Sequence, residues 1–312
     1  MRASRGVCGI LVTYNPDPPV LENVLDAAVI QLDHLIVIDN GSRPEAVAEI
    51  QRLLGRARAR AEVRVTERYY PSNLGLPIRF NEAIRVARDS GDHFALLLDH
   101  DSVLQPETVA RLLEVHDQVS GKLPLGALEA RNEEPIVLPT DDFLSGYWRR
   151  RNPDLAVGLT DDFLGTNSGL FVPLEVVEKV GGFDETYFLD AVDFEFTLRL
   201  RTAGGRLLQV AAARIRHQRG EPARPTGSGQ SPPVRRIQPI RHYYVARDVL
   251  RTWGRYWRRF PLVGLLLLSM PFREALLVML YYPDRRAHLH YLGLGLLHAL
   301  RGVRGPLPPT AT

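Results

Sequence analysis

The sequence is poor in cysteine, because Cys8 is the only one among 312 residues. A single thiol cannot form an intrachain disulfide, and a zinc site built from several cysteines is excluded as well. The chain is therefore suited to a reducing compartment. Its amino-terminal segment has a run of only about six apolar residues before proline-rich sequence, too short for the core of a signal peptide. We therefore expect no export signal and a cytoplasmic protein.

Two common phosphate-binding loops are also missing. No G-x-G-x-x-G follows the first apolar run, 9-GILVTY-14, and no G-x-x-x-x-G-K-[ST] occurs anywhere in the chain. A loop that cradles phosphate with backbone N–H groups is thus unsupported, and a bound diphosphate would need a metal ion. The apolar fraction of 45% and the charged fraction of 24% are ordinary for a globular protein, which argues against disorder and against a multi-span membrane protein.

Apolar runs of strand length alternate with segments of helical periodicity through the first 120 residues. Four such units predict a mostly parallel sheet covered by helices, with right-handed crossovers. The strands are predicted at 9–14, 34–40, 61–69 and 93–99, and the helices at 20–31, 44–57, 80–91 and 106–119. After a less regular region, 120–165, a helix is predicted at 173–182 and a strand at 207–217, followed by a Gly, Pro and Ser-rich segment, 218–234.

Polar residues follow each predicted strand, at the sheet edge where ligands bind in open folds of this kind. They include Thr13, Tyr14, Asn15, Asp39, Asn40, the turn 72-SNLG-75, Asp99 and Asp101. Residues two apart in extended chain point to the same face, so Asp99 and Asp101 can both reach one metal ion while His100 points away. The alternative is that Asp101 only begins the turn into the next helix.

A second acidic cluster, 190-DAVDFE-195, begins another predicted helix. Asp190 as its N-cap and Asp193 in its first turn would stabilise the helix, and this structural explanation is sufficient by itself. An ionised carboxylate there is also what a general base requires. His217 ends the strand at 207–217, and a nitrogen–oxygen metal site could include it, although a lone histidine is more often a packed or surface residue.

Six segments together resemble a known family in order and spacing, namely 10-ILVTYNP-16, 36-IVIDNGS-42, 73-NLGLPIRFNEAI-84, 96-LLLDHDS-102, 166-TNSGLFV-172 and 181-GGFDETYFLDAVDFEFTLRL-200. They are similar to the family-2 inverting glycosyltransferases of GT-A fold, and most like bacterial rhamnosyltransferases. The resemblance covers about residues 7 to 220, and more loosely 236 to 260. It implies a GT-A catalytic domain at 1–220, a flexible loop at 221–234 and a helical extension at 235–312.

The resemblance implies a role for each matching position. Asp193 is the catalytic base, with Asp190 and Glu195 as supporting acids. Asp99, Asp101 and His217 bind manganese or magnesium. The turn Thr166, Asn167 and Ser168 faces the acceptor. The nucleotide sugar is bound by Thr13, Tyr14, Asn15, Asp39, Asn40, Asn73, Gly75 and Asp99.

The implied reaction is a single displacement, in which an acceptor hydroxyl attacks the anomeric carbon of a dTDP-sugar or UDP-sugar. The expected donor is dTDP-rhamnose, and the acceptor is lipid-linked or a polysaccharide of the cell surface. Two positions depart from the family pattern, because His100 replaces a glutamine and Asp248 follows Arg247 where an asparagine is usual. The departures bear on donor identity rather than on the fold.

The carboxyl-terminal segment differs in charge from the rest. From Arg235 onwards thirteen arginines face three acids, whereas residues 1 to 234 carry a net charge of −7. The longest apolar stretch, 261–272, has about twelve residues, short of a membrane span. We expect two short helices, interrupted at Pro271, that lie peripherally on an anionic membrane. Alternatively, these helices complete the core of the domain or form a homo-oligomer contact. No nucleic-acid-binding motif is legible in this segment.

Three hypotheses therefore remain besides the rhamnosyltransferase. A galactofuranosyl or other UDP-sugar transferase would use the same fold. A nucleotide-sugar pyrophosphorylase would need a glycine-rich basic loop after the first strand, and 14-YNPDPP-19 has neither glycine nor lysine. A catalytically silent, membrane-bound scaffold subunit of a glycan assembly complex would bind no nucleoside diphosphate.

Overall fold

The computed structural model describes residues 5–133, 158–162, 164–217, 222–223, 234–235 and 237–307. Its strands are β1 (Val7–Thr13), β2 (His34–Asn40), β3 (Arg64–Tyr70), β4 (Phe94–Asp99), β5 (Ser102–Leu104), β6 (Leu125–Asn132), β7 (Leu159–Asp162), β8 (Leu170–Pro173), β9 (Arg206–His217), β10 (Pro222–Ala223) and β11 (Val234–Arg235). Its helices are α1 (Pro18–Val29), α2 (Pro44–Arg60), α3 (Leu76–Asp89), α4 (Thr108–Val119), α5 (Leu174–Lys179), α6 (Val192–Thr202), α7 (Pro239–Tyr256), α8 (Pro261–Tyr281) and α9 (Arg285–Leu300).

One mixed sheet forms the centre of the protein, in the order β3-β2-β1-β4-β8-β6-β9-β5, with β7 paired to β9. The strands β3, β2, β1 and β4 are parallel, which confirms the four predicted strand–helix units. Successive residues of a strand point to opposite faces. Leu11 accordingly joins the apolar cluster on one face, and its neighbour Ile10 joins the cluster on the other.

The region 120–165 is more regular than predicted. It contains β6, which pairs in parallel with β9 and antiparallel with β8, and β7, which pairs antiparallel with β9. The sequence of β6, 125-LGALEARN-132, lacks clear alternation because the strand lies in the middle of the sheet, where both faces are covered. The less regular region predicted at 120–165 thus contains two strands that the sequence pattern did not reveal, while 134–157 and 163 lie outside the described residues.

The helix α6 begins after the acidic residue expected to cap it. Ala191 occupies the N-cap position with a left-handed φ of 59°, so Asp190 lies in the preceding loop. The N-cap explanation for Asp190 is therefore wrong. Its carboxylate is instead directed to α7, as described below.

The described part of the carboxyl-terminal segment, 237–307, contains three helices, and none of them is interrupted at Pro271 as expected. The helix α8 continues through the buried Pro271 for 21 residues, because the loss of one N–H donor does not end a helix that is packed against neighbours. Val249 and Tyr256 of α7 and Leu267 of α8 share one core cluster with Ile10 of the sheet. These helices thus complete the apolar core on one face of the sheet.

The close packing of α9 on α7 depends on a glycine. A Cβ added at Gly295 would lie 2.4 Å from the carbonyl oxygen of Tyr243. Arg247 binds Asp248 within α7 and donates to the carbonyl oxygen of Gly305 at 2.6 Å, which fastens the chain beyond α9 to α7. The departure at Asp248 therefore lies in a buried ion pair that holds helices together.

Candidate active site

The carboxyl ends of three parallel strands meet at one edge of the sheet. Thr13 of β1 is paired with Asp39 of β2, and Val12 is paired with Asp99, the last residue of β4. The polar residues that follow these strands in sequence therefore come together in space. This edge is where an open α/β sheet binds its ligand.

The carboxylate of Asp39 is fully buried and builds the loop after β2. It accepts hydrogen bonds from the hydroxyl of Thr13 at 3.0 Å and from the backbone N–H groups of Gly41 and Ser42 at 3.2 and 2.9 Å. Asn15 adopts a left-handed φ of 44°, and its side-chain oxygen accepts from the N–H of Arg43. Asp39 and Thr13 thus shape the loop after β2, whereas Tyr14, 48% exposed, lies at the surface.

Asn40 fixes the second loop of the site. Its side-chain nitrogen donates to Asn73 at 2.9 Å, and its oxygen accepts from the N–H of Leu74 at 3.1 Å. Gly75 has a φ of 94°, and a Cβ at this position would lie 2.7 Å from the carbonyl oxygen of Phe188. Only glycine fits this close approach between the 72–75 turn and the loop before α6.

Arg79 is a site residue that the sequence reasoning missed. Its Nε donates to Asn40 at 2.9 Å, and its guanidinium stacks on the ring of Tyr70 with 3.5 Å to the centroid. A nearly buried arginine at the carboxyl edge of the sheet holds the two loops together. The sequence offered one signal for this role, because Arg79 stands between the apolar residues Ile78 and Phe80 in the segment that forms α3.

The predicted metal ligands are brought together by β5 and β9. These short strands pair antiparallel, and Ser102 lies opposite His217. The backbone of His217 is therefore adjacent to Asp101, although more than 110 residues separate the two in sequence. Aspartate oxygens with one imidazole nitrogen form a donor set suited to Mn²⁺ or Mg²⁺. His100 between the aspartates has its pKa lowered by burial.

Asp193 lies in the first turn of α6 and faces the same sheet edge. Its pKa is raised to about 6, chiefly by burial and also by the charges of Asp190 and Asp99, whereas a hydrogen bond from the N–H of Phe194 at 2.9 Å opposes the rise. Asp99 and Asp193 therefore sense each other's charge across the site. A carboxylate of this pKa is largely ionised at pH 7 and can accept a proton.

Glu195 points to a different part of the molecule. Its carboxylate, 1% exposed, accepts hydrogen bonds from Arg199 at 2.8 Å, from Arg255 at 3.0 Å and from the hydroxyl of Tyr256 at 2.9 Å. Three donors from α6 and α7 surround it, so its role in the structure is to join these helices. The structure does not bring Glu195 to the side of Asp99 and Asp193.

The turn 166–169 lies between β6 and β5, the short strand that follows Asp101. Thr166 donates to Glu129 of β6 at 2.7 Å, and the hydroxyls of Ser168 and Ser102 are hydrogen-bonded to each other. Both side chains thus hold the turn against the sheet. Asn167 differs, because its buried side-chain oxygen has no hydrogen-bond partner among the described residues. Of the three, Asn167 has the atom best able to bind a ligand.

A second cluster of side chains that can bind metal ions lies at the opposite end of the sheet. The ligand atoms of Cys8, His34 and Asp92 are within 4.8 Å of one another. However, the two imidazole nitrogens of His34 already contact Asp92 at 2.6 Å and Thr66 at 2.9 Å, and the guanidinium of Arg64 binds Asp92 at 2.7 Å. A cation in this position disfavours a metal ion, so the cluster is a buried hydrogen-bond network.

The fold is an α/β sheet with an acidic ligand edge, and comparison with known proteins gives the family. Residues 9–174 match the model of Glycosyl transferase family 2, so the chain belongs to that family. The fold is GT-A, as the sequence predicted.

Individual relatives are more distant. The dTDP-rhamnosyl transferase RfbF of Shigella flexneri is 23% identical over 312 residues, which cover 96% of both chains. Among solved structures, mannosyltransferase PcManGT from Pyrobaculum calidifontis, in complex with GDP-Man and Mn²⁺, has a TM-score of 0.57 at 17% identity, covering 99% of this chain and 79% of its own. GalNAc-T7, with UDP, GalNAc and Mn²⁺, has a TM-score of 0.55 at 13% identity, covering 97% and 58%.

Proposed function

We propose that the protein is a metal-dependent, inverting glycosyltransferase that moves L-rhamnose from dTDP-rhamnose to a lipid-linked or polysaccharide acceptor in cell-surface glycan synthesis. The observation that carries the proposal is the sheet register. It places Asp99 at the ligand edge and the backbone of His217 opposite Ser102, next to Asp101. Family membership and the similarity to a dTDP-rhamnosyl transferase support the donor assignment.

The residue types fit a divalent cation, because two aspartates and one histidine offer oxygen and nitrogen donors and strand pairing brings the backbone of His217 next to Asp101. Asp99, Asp101 and His217 would hold Mn²⁺ or Mg²⁺, and both solved neighbours named above contain Mn²⁺. When bound, the ion would neutralise the charge of the departing nucleoside diphosphate. The loops that Asp39 and Asn40 organise would receive the nucleoside.

Asp193 is the proposed general base. It accepts the proton of an acceptor hydroxyl, and that oxygen then forms a bond to the anomeric carbon as the bond to the diphosphate breaks. A single displacement inverts the anomeric configuration. General-base assistance is worth roughly 10²–10⁴-fold in rate, so Asp193→Asn should lose turnover by about that factor while nucleotide binding persists.

The exposed face of α8 supports a peripheral membrane location. The helix is long and apolar enough to span a membrane, yet it packs on the domain, with 28% of its most apolar window buried. Leu262, Leu265, Phe272, Leu276 and Met279 are exposed and recur every three, four or seven residues, which aligns them on one side of the helix. The stripe extends for roughly 25 Å.

Positive charges flank this stripe at both ends. The exposed Arg258 and Arg259 precede α8, and the exposed Arg285 and Arg286 follow it. Two copies paired antiparallel through α8 would place these arginines against each other, which disfavours a dimer. An anionic lipid surface would bind both the stripe and the arginines. Cosedimentation should show binding to vesicles with phosphatidylglycerol and less binding to pure phosphatidylcholine, whereas Leu265→Gln/Phe272→Gln should reduce both.

A thermal-shift screen followed by a transfer assay tests the catalytic proposal. Wild type and Asp101→Ala are each heated with dTDP, UDP or GDP, with and without Mn²⁺. Stabilisation by dTDP that needs Mn²⁺ and disappears in Asp101→Ala supports the site and the rhamnose donor. A preference for UDP would replace rhamnose by a galactofuranosyl or related donor. No shift with any nucleotide would contradict the transferase and favour a scaffold subunit.

A further inference from the structure

Arg241 brings a positive charge from the carboxyl-terminal helices into the acidic site. It lies in the first turn of α7, and its Nε and Nη2 are each 3.2 Å from the same carboxylate oxygen of Asp190. Asp190 belongs to the loop that leads into α6, three residues before Asp193. The ion pair therefore links α7 to the segment that carries the proposed base.

The guanidinium stands among three carboxylates. The charge of Asp190, and more weakly those of Asp99 and Asp193, raise the pKa of Arg241, while its burial opposes the rise. Asp99 is the last residue of β4 and Asp193 is in the first turn of α6, so Arg241 lies within electrostatic reach of both the sheet edge and the proposed base.

Asp190 uses only part of this guanidinium. The arginine side chain is 49% exposed, whereas that of Asp190 is 13% exposed, and its second carboxylate oxygen is buried without a hydrogen-bond partner among the described residues. Arginine has five N–H donors in a fixed fork, and in the described part of the chain Asp190 is the one side chain that it contacts. The remaining donors are accessible from solvent at the ligand edge.

We propose that Arg241 binds the diphosphate of the sugar nucleotide and that Asp190 positions its guanidinium for this contact. The proposal rests on the function proposed above. A diphosphate placed beside Asp99 brings further negative charge into an already acidic site, so it requires positive charge on more than one side. The planar fork of arginine matches two phosphate oxygens, and a fixed cation there would stabilise the charge that develops on the leaving group.

Titration calorimetry in Mn²⁺ compares three probes: the nucleoside diphosphate that most stabilises the wild type, its monophosphate and its nucleoside. We expect Arg241→Gln to weaken diphosphate binding by about tenfold to a hundredfold, the range for a lost charged hydrogen bond, and to leave nucleoside binding unchanged. Arg241→Lys retains the positive charge but not the planar fork of N–H donors. Its affinity for the diphosphate should lie between those of Arg241→Gln and wild type. Arg301→Gln, an exposed arginine at the end of α9, is the matched control and should bind all three probes as wild type does.

Asp190→Asn tests the positioning role. It should weaken diphosphate binding less than Arg241→Gln, and the double variant should bind no more weakly than Arg241→Gln alone, because Asp190 acts through the arginine. Unchanged diphosphate affinity in Arg241→Gln would overturn the proposal. An equal loss of affinity for the diphosphate and for the nucleoside would also overturn the proposal, since that pattern indicates a general structural role of Arg241. Wild-type protein that binds no nucleoside diphosphate would remove the proposed function itself.

Discussion

Replacing Asp193 with asparagine should stabilise the protein even as it slows catalysis. The folded protein raises the pKa of Asp193 from 3.8 to about 6, mainly through burial. This carboxylate therefore ionises more easily in the unfolded chain than in the folded protein. Above pH 6 it is ionised in both states, and the whole cost of burying its charge then reduces the free energy of unfolding. At about 1.36 kcal/mol per pKa unit the penalty approaches roughly 3 kcal/mol, and because water screens part of it we expect about 1–3 kcal/mol. Asparagine removes this penalty and still accepts the hydrogen bond from Phe194.

The sign of the effect depends on pH. Between pH 3.8 and 6 the stability penalty grows with pH, because Asp193 is already ionised in the unfolded chain but still partly protonated in the folded protein. Below pH 3.8 the penalty vanishes, because Asp193 is protonated in both states. Asp193→Asn should thus raise the free energy of unfolding at pH 7.5 and leave it nearly unchanged near pH 4. EDTA is needed in both measurements, since a bound divalent ion would offset the same repulsion.

Urea unfolding at the two pH values, followed by circular dichroism, provides the measurement, and the melting temperature should rise by roughly 2–4 °C per kcal/mol. Asp89→Asn is the control, because this aspartate is 69% exposed and surface changes are usually within about 0.5 kcal/mol. If Asp193→Asn were neutral or destabilising at pH 7.5, or equally stabilising at both pH values, the carboxylate would not be the strained, buried group inferred here.

Three further outcomes are expected. The pH profile of kcat/KM should have an acidic limb near pH 6, because protonated Asp193 cannot accept a proton; a rate that is flat down to pH 5 would argue against this base. Glu195→Gln should cost about 1–3 kcal/mol in urea unfolding, since the buried carboxylate loses its charge-assisted hydrogen bonds to Arg199 and Arg255, and unchanged stability would mean that the network contributes little. Gly75→Ala should cost about 1–3 kcal/mol and raise the donor KM, because of its left-handed φ and the nearby carbonyl of Phe188; normal kinetics would show that this loop tolerates displacement.

Much of the site was predictable because its residues follow strands. Strand ends are local features, visible as apolar runs that stop at polar residues, and parallel pairing brings those ends together whatever the connecting helices contain. Asp99 was identified on this basis, and the register confirms its position at the ligand edge. The assignment of roles to Asp193 and His217 rested on family resemblance and stays a prediction, supported by where the chain places them.

Other features were not predictable, because they arise from contacts between distant segments. The sequence contains no sign that Arg241 would meet Asp190, since the two lie in different elements 51 residues apart. Likewise Glu195 looks like another acid of the site, and only the approach of Arg255 and Tyr256 from α7 shows that it joins two helices. Proline at 271 indicated a break in α8 that packing overrides.

The sequence by itself determined the four strand–helix units, the polar residues at their ends and the contrast between an acidic body and a basic tail, because periodicity, turn chemistry and charge are properties of short segments. The tertiary structure decided which acids serve which purpose. A carboxylate's role depends on its burial and on the donors around it, and these come from helices and strands that only folding brings into contact.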